Sequence, residues 1–174
     1  MNHLSTTSLL LEKSIICNLF LSFFQTCEGN VYTLTPSPEL SLSSENAICF
    51  PFNKIMYSIG NKLTFDSTNN CIVVGTGVNH IKVSGAIMQK CTDPDLCGGY
   101  ITKNGFDSNA GVTMAFTYLP VTNQMFYIGI ADKIISVSEG DKIYLVDYVN
   151  RGGINVTLIS YNGRSTYLTV EVID

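Results

Sequence analysis

Residues 138–149 are the stretch that most constrains how this chain can fold. A turn signal, Glu139-Gly140-Asp141, leads directly into a segment rich in β-branched and aromatic residues. Successive side chains of a strand point to opposite faces of a sheet. One face of this strand carries Ile143, Leu145 and Val149, and the other carries Tyr144, Val146 and Tyr148. A strand of an antiparallel sheet normally keeps one face in water. Two apolar faces therefore predict either a strand between two layers or one that contacts another subunit.

The composition favours a β-rich, weakly charged protein with one main domain. The chain has 174 residues, enough to bury a full hydrophobic core. Charged residues make up only 14% of it, against about 25% in ordinary soluble domains. So few charges predict an oligomer, or a domain that sits on a larger assembly. The net charge of −4 and the lack of any Lys/Arg run give no basis for a nucleic-acid partner.

From residue 47 onward, the sequence predicts about ten short strands separated by turn residues. The predicted strands are residues 47–52, 55–58, 63–66, 71–74, 80–91, 100–103, 112–121, 125–137, 142–149, 154–160 and 166–173. Ile81, Val83 and Ile87 form the expected inward set of the longest early strand, and Gly85 within it predicts a close approach or a bulge. Asn104-Gly105 predicts a tight turn. Short connections without a predicted helix favour a sandwich or a barrel.

The first 46 residues differ in character from the rest of the chain. Residues 1–28 contain an apolar run that is shorter than the ~20 residues of a membrane-spanning helix. Three interpretations stay open for it: a signal peptide, a helix packed on the domain, or extra residues from an upstream start codon. Residues 28–46, with Pro36 and Pro38, predict an extended linker, because proline biases the residue before it away from helix. We therefore expect an N-terminal segment, 1–46, and a main domain, 47–174.

The six cysteines are too sparse for a disulfide scaffold, and no Cys-x-x-Cys pair suggests a zinc site. Cys91 and Cys97 bracket a short loop and are a candidate disulfide. The alternative for most of the cysteines is that they are buried thiols. Asp93 and Asp95 in the same loop are candidate calcium ligands, with ordinary turn aspartates as the alternative.

The sequence contains no recognisable catalytic set. His3 and His80 are the only histidines, and no nucleophile elbow, metalloprotease motif or phosphate-binding loop is present. A carbohydrate-active enzyme would need two carboxylates that face each other across a cleft. Nothing in the sequence pairs the available ones, which are Glu139, Asp141, Asp147 and Glu171. We therefore expect no enzymatic activity, no cofactor and no bound metal.

The order of elements near the C-terminus resembles a known superfamily. A Gly-Asp turn, the strand 142–149, a loop, and the ending Asn162-Gly163-Arg164-Ser165 followed by strand 166–172 are similar to the globular head of complement-type and tumour-necrosis-factor-like proteins. Together with Ile81-Lys82-Val83-Ser84-Gly85, the terminal strand resembles the bacterial and phage or prophage branch of that superfamily. The resemblance covers residues 47–174.

This resemblance implies an all-β, ten-stranded jelly-roll sandwich that assembles as a homotrimer, with aromatic and aliphatic side chains packed on the threefold axis. Tyr144, Val146 and Tyr148 would then form the trimer interface. Two departures speak against animal extracellular signalling. No collagen-like Gly-x-y stalk precedes the head, and Glu171 stands where animal relatives are more apolar.

The expected function is that of a non-enzymatic trimeric head on a phage tail or head fibre, located in the virion. It would contact a glycan or protein receptor on the host surface, and residues 1–46 would bind other virion proteins. The alternatives are a secreted complement-like or necrosis-factor-like ligand and a carbohydrate-binding module. Loops 92–99, 104–110 and 150–153 are the expected contact points, because the loops at the end of a sandwich carry binding.

Overall fold

The computed structural model of the chain describes residues 30–36, 39–44, 47–91, 96–106, 110–118, 125–149, 154–159 and 165–174. Thirteen strands and no α-helix lie in these ranges. The strands are β1 (Val31–Pro36), β2 (Glu39–Ser44), β3 (Ala47–Cys49), β4 (Phe52–Ser58), β5 (Leu63–Asp66), β6 (Cys71–Val74), β7 (His80–Cys91), β8 (Leu96–Lys103), β9 (Gly111–Tyr118), β10 (Met125–Ser136), β11 (Lys142–Val149), β12 (Ile154–Ile159) and β13 (Tyr167–Val172). No helix in the described part of the chain is long and apolar enough to cross a membrane.

The strands form two antiparallel sheets. The first sheet has the order β2-β12-β7-β13-β1-β4, and β10 pairs with the other side of β7. The second sheet has the order β5-β6-β11-β8-β9, and β3 pairs with β11 beyond the end of β6. In the first sheet, β4 and β10 are therefore edge strands on opposite sides.

The hydrophobic core lies between the two sheets. Strands that border it contribute alternate residues, as the period of two requires. In β13, Leu168, Val170 and Val172 are buried while the residues between them are partly exposed. The inward set predicted for β7, which includes Ile81 and Ile87, is completely buried.

The strand bounds follow the sequence closely where the pattern is strong. Four strands, β5, β6, β7 and β11, begin and end where the sequence predicts. A different result appears at β8, which begins at Leu96 inside the segment predicted as a loop. Gly98 and Gly99 have low strand propensity, but they pair with Tyr148 and Asp147 of β11. Tertiary pairing has overridden local preference there.

Gly85 marks a close approach, as predicted. A Cβ atom at this position would lie 2.9 Å from the carbonyl oxygen of Tyr167. The register shift that accompanies it lies on the partner strand β10, between Ile130 and Lys133. The missing side chain thus lets β13 and β7 lie together, and the bulge belongs to β10.

The structure differs from the predicted linker at residues 28–46. This stretch contains β1, which pairs with both β13 and β4, and β2, which pairs with β12. The extended backbone that the prolines favour is also the backbone of a strand, so only the presence of open sheet edges distinguishes the two outcomes. The predicted apolar segment lies outside the described residues, and the division of the chain there stays a prediction.

Candidate functional site

The three residues predicted at a trimer interface lie together on the outer face of the second sheet. Tyr144 and Val146 form a buried cluster with Cys71 and Tyr100, and Tyr148 packs against it. We call this group the tyrosine cluster. It lies on the opposite face of β11 from the core residues, as alternation predicts.

The tyrosine cluster is covered largely within one chain. Tyr144 is only 5% exposed and Val146 is completely buried. Phe106 contacts the Tyr144 ring edge-on, with centroids 4.6 Å apart, and Tyr100 donates a hydrogen bond of 3.3 Å from its hydroxyl to the Phe106 carbonyl. The Tyr148 ring lies 6.5 Å from the Tyr100 ring. Tyr144 and Val146 therefore have little surface left to offer another subunit.

The cysteines of this face are in protected surroundings. Burial, followed by the neighbouring Cys71, raises the pKa of Cys49 to about 12. Burial also raises the pKa of Tyr144 to about 12, with further contributions from Cys71. Since the thiolate is the reactive form, a raised pKa makes Cys49 a poor nucleophile.

The candidate disulfide and calcium ligands lie near the connection between β7 and β8. Cys91 ends β7 in the first sheet, and Cys97 is completely buried near the start of β8 in the second sheet. The Cys91 side chain, Asp93 and Asp95 lie outside the described residues. The disulfide and the calcium alternative therefore stay predictions.

The Gly-Asp turn before β11 is tied to the turn after β8. Asn104 donates a hydrogen bond of 2.7 Å from its side-chain amide to Asp141, and its side-chain oxygen accepts one of 2.8 Å from the Lys142 backbone. The Ser138 amide donates to the other Asp141 oxygen at 2.9 Å. Both turns use positive φ angles, at Asn104 and Gly140. We call this arrangement the turn lock.

Asp141 carries a stabilised charge in the turn lock. Partial burial acts to raise the pKa of Asp141, but hydrogen bonds from Asn104 and the Ser138 amide and the charge of Lys103 outweigh it and lower the pKa. The sequence identified Asn104 only as a turn residue. Its second role depends on a contact across 37 positions of the chain, for which no local pattern exists.

Large apolar side chains are exposed at both edges of the first sheet, each between 41% and 60%. On β4 and directly after it, they form a group that we call the β4 patch. Its members are Ile55, Met56, Tyr57 and Ile59. On β10 they form a second group, the β10 patch. Its members are Met125, Tyr127 and Ile134. The sequence marked these strands but not the exposure of these side chains, which depends on β4 and β10 being edges.

The outer face between the two patches is mostly small or polar. Thr169 of β13 and Ser84 of β7 lie in register with Tyr57 through β1. Glu171 forms an ion pair of 2.7 Å with Lys82, its register partner on β7. The charge of Glu171 is thus paired across the sheet.

The four carboxylates considered for catalysis do not converge. Glu139 is exposed, Asp141 lies in the turn lock, Asp147 lies in the core, and Glu171 is on the outer face of the first sheet. His80 lies 3.0 Å from Asp174 at the exposed start of β7. Among the described residues, no three His, Cys, Asp or Glu side chains gather as a metal site would require.

The predicted contact loops are only partly described. Residues 92–95, 107–109 and 150–153 lie outside the described ranges. Residues 96–99 belong to β8, which corrects the prediction that they form a loop. Within the described part of loop 104–110, Phe106 is half exposed over the tyrosine cluster.

Comparison with known proteins identifies the fold. No protein-family model and no curated protein matches the sequence. The crystal structure of murine APRIL at pH 8.0 matches with a TM-score of 0.62 and 10% sequence identity, over 84% of this chain and 100% of that one. The structure of Eiger TNF from S. frugiperda matches with a TM-score of 0.61 and 9% identity, over 84% of this chain and 92% of that one.

At such low identities these similarities show the fold alone. The chain has a TNF-like jelly-roll sandwich, so the predicted all-β jelly-roll class is confirmed. The described residues form thirteen strands where ten were predicted, and the homotrimer stays a prediction. The bacterial or phage branch of the superfamily stays a prediction.

Proposed function

We propose that this protein is a non-enzymatic binding module that assembles as a homotrimer and contacts a surface receptor or glycan. The observation that carries the proposal is the pair of exposed apolar patches at opposite edges of the first sheet of a TNF-like jelly roll. Groups of large exposed apolar side chains favour an interaction surface, because extended apolar surface on a soluble protein is usually covered by a partner. The low charge content points the same way.

Two different patches suit a ring. In a cyclic trimer each subunit presents one surface to its left neighbour and a different surface to its right neighbour, and the contact closes after three steps. The β4 patch and the β10 patch are two such surfaces. A twofold dimer would instead need one self-complementary patch.

We place the trimer interface on the first sheet instead of on Tyr144, Val146 and Tyr148. Tyr144 and Val146 are covered within one chain, so their side chains have little area to lose on assembly. Tyr127 of β10 is 58% exposed, so its side chain has much more surface to bury on assembly. The two locations make different predictions for single substitutions.

Size-exclusion chromatography with light scattering distinguishes them. We expect the wild-type chain to be a trimer at micromolar concentration, Tyr127→Asp to be a monomer, and Tyr148→Asp to remain a trimer. Thr64→Asp, exposed on the outer face of the second sheet, is the control and should also remain a trimer. A monomeric wild-type protein would refute the assembly, and dissociation by Tyr148→Asp alone would return the interface to the tyrosine cluster.

We further propose that the module is the head of a virion fibre that attaches a phage to its host, with the segment before β1 joined to other virion proteins. Its support is the resemblance carried by residues 81–85 and by the terminal strand. Mass spectrometry of purified particles tests the location, and absence of the chain from them contradicts it. N-terminal sequencing of the natural protein separates the secreted alternative, since an intact Met1 excludes a cleaved signal.

A further inference from the structure

A polar pair crosses the hydrophobic core between the two sheets. Gln89 of β7 is 0% exposed and Asp147 of β11 is 1% exposed. With the amide oriented by its hydrogen-bond partners, the Gln89 nitrogen donates to both Asp147 carboxyl oxygens, at 2.8 and 3.2 Å. The pair therefore joins the first sheet to the second through the interior of the sandwich.

Within the described part of the chain, the strands packed around Asp147 place no cation against it. Its sheet neighbours are Gly99 of β8, which has no side chain, and Ile48 of β3. On β7, Lys82 and Lys90 alternate with buried residues and project from the outer face of the first sheet. Strand β12, which pairs with Gln89 through Leu158, contains no ionisable residue.

Two further described residues lie near the Gln89–Asp147 pair. Phe126 of β10, the register partner of Gln89, is apolar. Cys97 of β8 is the titratable side chain among the described residues that enters the same core. Whether as a thiol or in a disulfide, a cysteine side chain supplies no positive charge to balance a carboxylate.

A carboxylate in such a place is costly to ionise. Burial disfavours the charged form, because the core replaces water with a medium that solvates charge poorly. Burial raises the pKa of Asp147 to about 7, although a hydrogen bond from the Tyr148 backbone acts in the opposite direction. The donors from Gln89 allow the charged form to exist without leaving its oxygens unpaired.

We propose that Gln89 and Asp147 form a proton-linked clasp between the two sheets, so that the folded chain is more stable in weakly acidic solution than in neutral solution. The clasp lies inside one chain, so it is independent of the proposed trimer and receptor. Neither the sequence motifs nor the resemblance pointed to it, because Gln89 and Asp147 come from different strands and different sheets.

The direction of the pH effect follows from linkage. In the unfolded chain Asp147 ionises near its ordinary pKa of about 4, while burial in the folded chain raises its pKa to about 7. Stabilisation by the protonated form is complete below about pH 4 and is lost as the pH rises towards 7. Across this window the folding equilibrium constant should fall by up to about tenfold per pH unit, and the effect should level off above it.

Urea unfolding at one protein concentration, between about pH 5 and 8, tests the clasp. Circular dichroism is the suitable signal because the chain has no Trp. We expect Asp147→Asn, which mimics the protonated acid, to lose this pH dependence. Asp132→Asn, an exposed aspartate on β10, should keep the wild-type dependence. Equal pH dependence in wild type and Asp147→Asn would overturn the proposal.

A direct titration covers the case in which Asp147→Asn does not fold. The carboxyl carbon of Asp147 in the wild-type protein, followed by NMR, should titrate near pH 7, and a midpoint near 4 would refute the clasp. Gln89→Met should move the midpoint upward, because the ionised form loses both of its hydrogen bonds from the amide. An unchanged midpoint in Gln89→Met would mean that Gln89 takes no part in the proton linkage of Asp147.

Discussion

Asn104 shows how much one turn residue contributes once the chain is folded. Its positive φ angle suits asparagine, which tolerates the left-handed region better than most residues. Its side chain also joins Asp141 to the backbone of Lys142. Conformational preference and hydrogen bonding therefore act at the same position, and two substitutions separate them.

Asn104→Gly keeps the φ angle and loses the side-chain hydrogen bonds, so we expect it to lower the free energy of unfolding by about 1–3 kcal/mol. Asn104→Ala should lose a further ~1 kcal/mol, because alanine is strained at positive φ. Urea denaturation of both variants measures the difference. Equal losses would mean that the φ angle carries no cost, and no loss in either variant would mean that the turn lock does not stabilise the fold.

At the scale of the element, β11 is a strand with two apolar faces, and both are used inside one chain. Leu145 enters the sandwich core, while Tyr144 enters the tyrosine cluster beneath Phe106. Of the two interpretations that the sequence left open, the described residues support a strand between two layers. The second layer is thin, and it includes residues of the turn after β8.

Tyr144→Asp should therefore destabilise the fold itself, not only an assembly. The change removes a buried ring and places a carboxyl group among apolar side chains, at an expected cost of about 3–5 kcal/mol. Tyr144→Phe, which keeps the ring and loses the hydroxyl, should cost about 1 kcal/mol. Thermal and urea unfolding measure both. A Tyr144→Asp protein that is as stable as wild type but monomeric would restore the predicted role of Tyr144 in the interface.

At the scale of the whole molecule, the two exposed patches determine what kind of assembly is available. They lie on β4 and β10, which are separated by the width of the first sheet. Each subunit of a ring would use both patches, so damage to either one prevents closure. A subunit with a damaged β4 patch keeps an intact β10 patch, and a subunit with a damaged β10 patch keeps an intact β4 patch. These two intact patches can still bind each other.

Mixing two variants tests this arrangement. Tyr57→Asp damages the β4 patch and Tyr127→Asp damages the β10 patch, and we expect each variant alone to be monomeric. In an equimolar mixture, the intact β10 patch of the first can meet the intact β4 patch of the second, so light scattering should detect a weak heterodimer. A mixture that stays monomeric at high concentration, although wild type is a trimer, would contradict a β4-to-β10 contact.

The local parts of this structure could be predicted from the sequence. Strand β11 and the inward set of β7 were predictable because the alternation of side chains along a strand can be recognised from consecutive residues. Gly85 was predictable because a lone glycine within a strand signals a close approach. Each of these features depends on residues that lie next to one another in the chain.

Which surfaces are covered and which distant residues meet could not be predicted, because both depend on how the sheets pack. The pairing of β1 with β13, the covering of Tyr144 by Phe106, and the strand conformation of Gly98 and Gly99 all depend on partners far away in the sequence. The Gln89–Asp147 pair depends on the packing of two sheets. Such contacts become fixed only when the sheets pack together, since the free energy that holds them comes from burial and pairing across the fold and not from local preference.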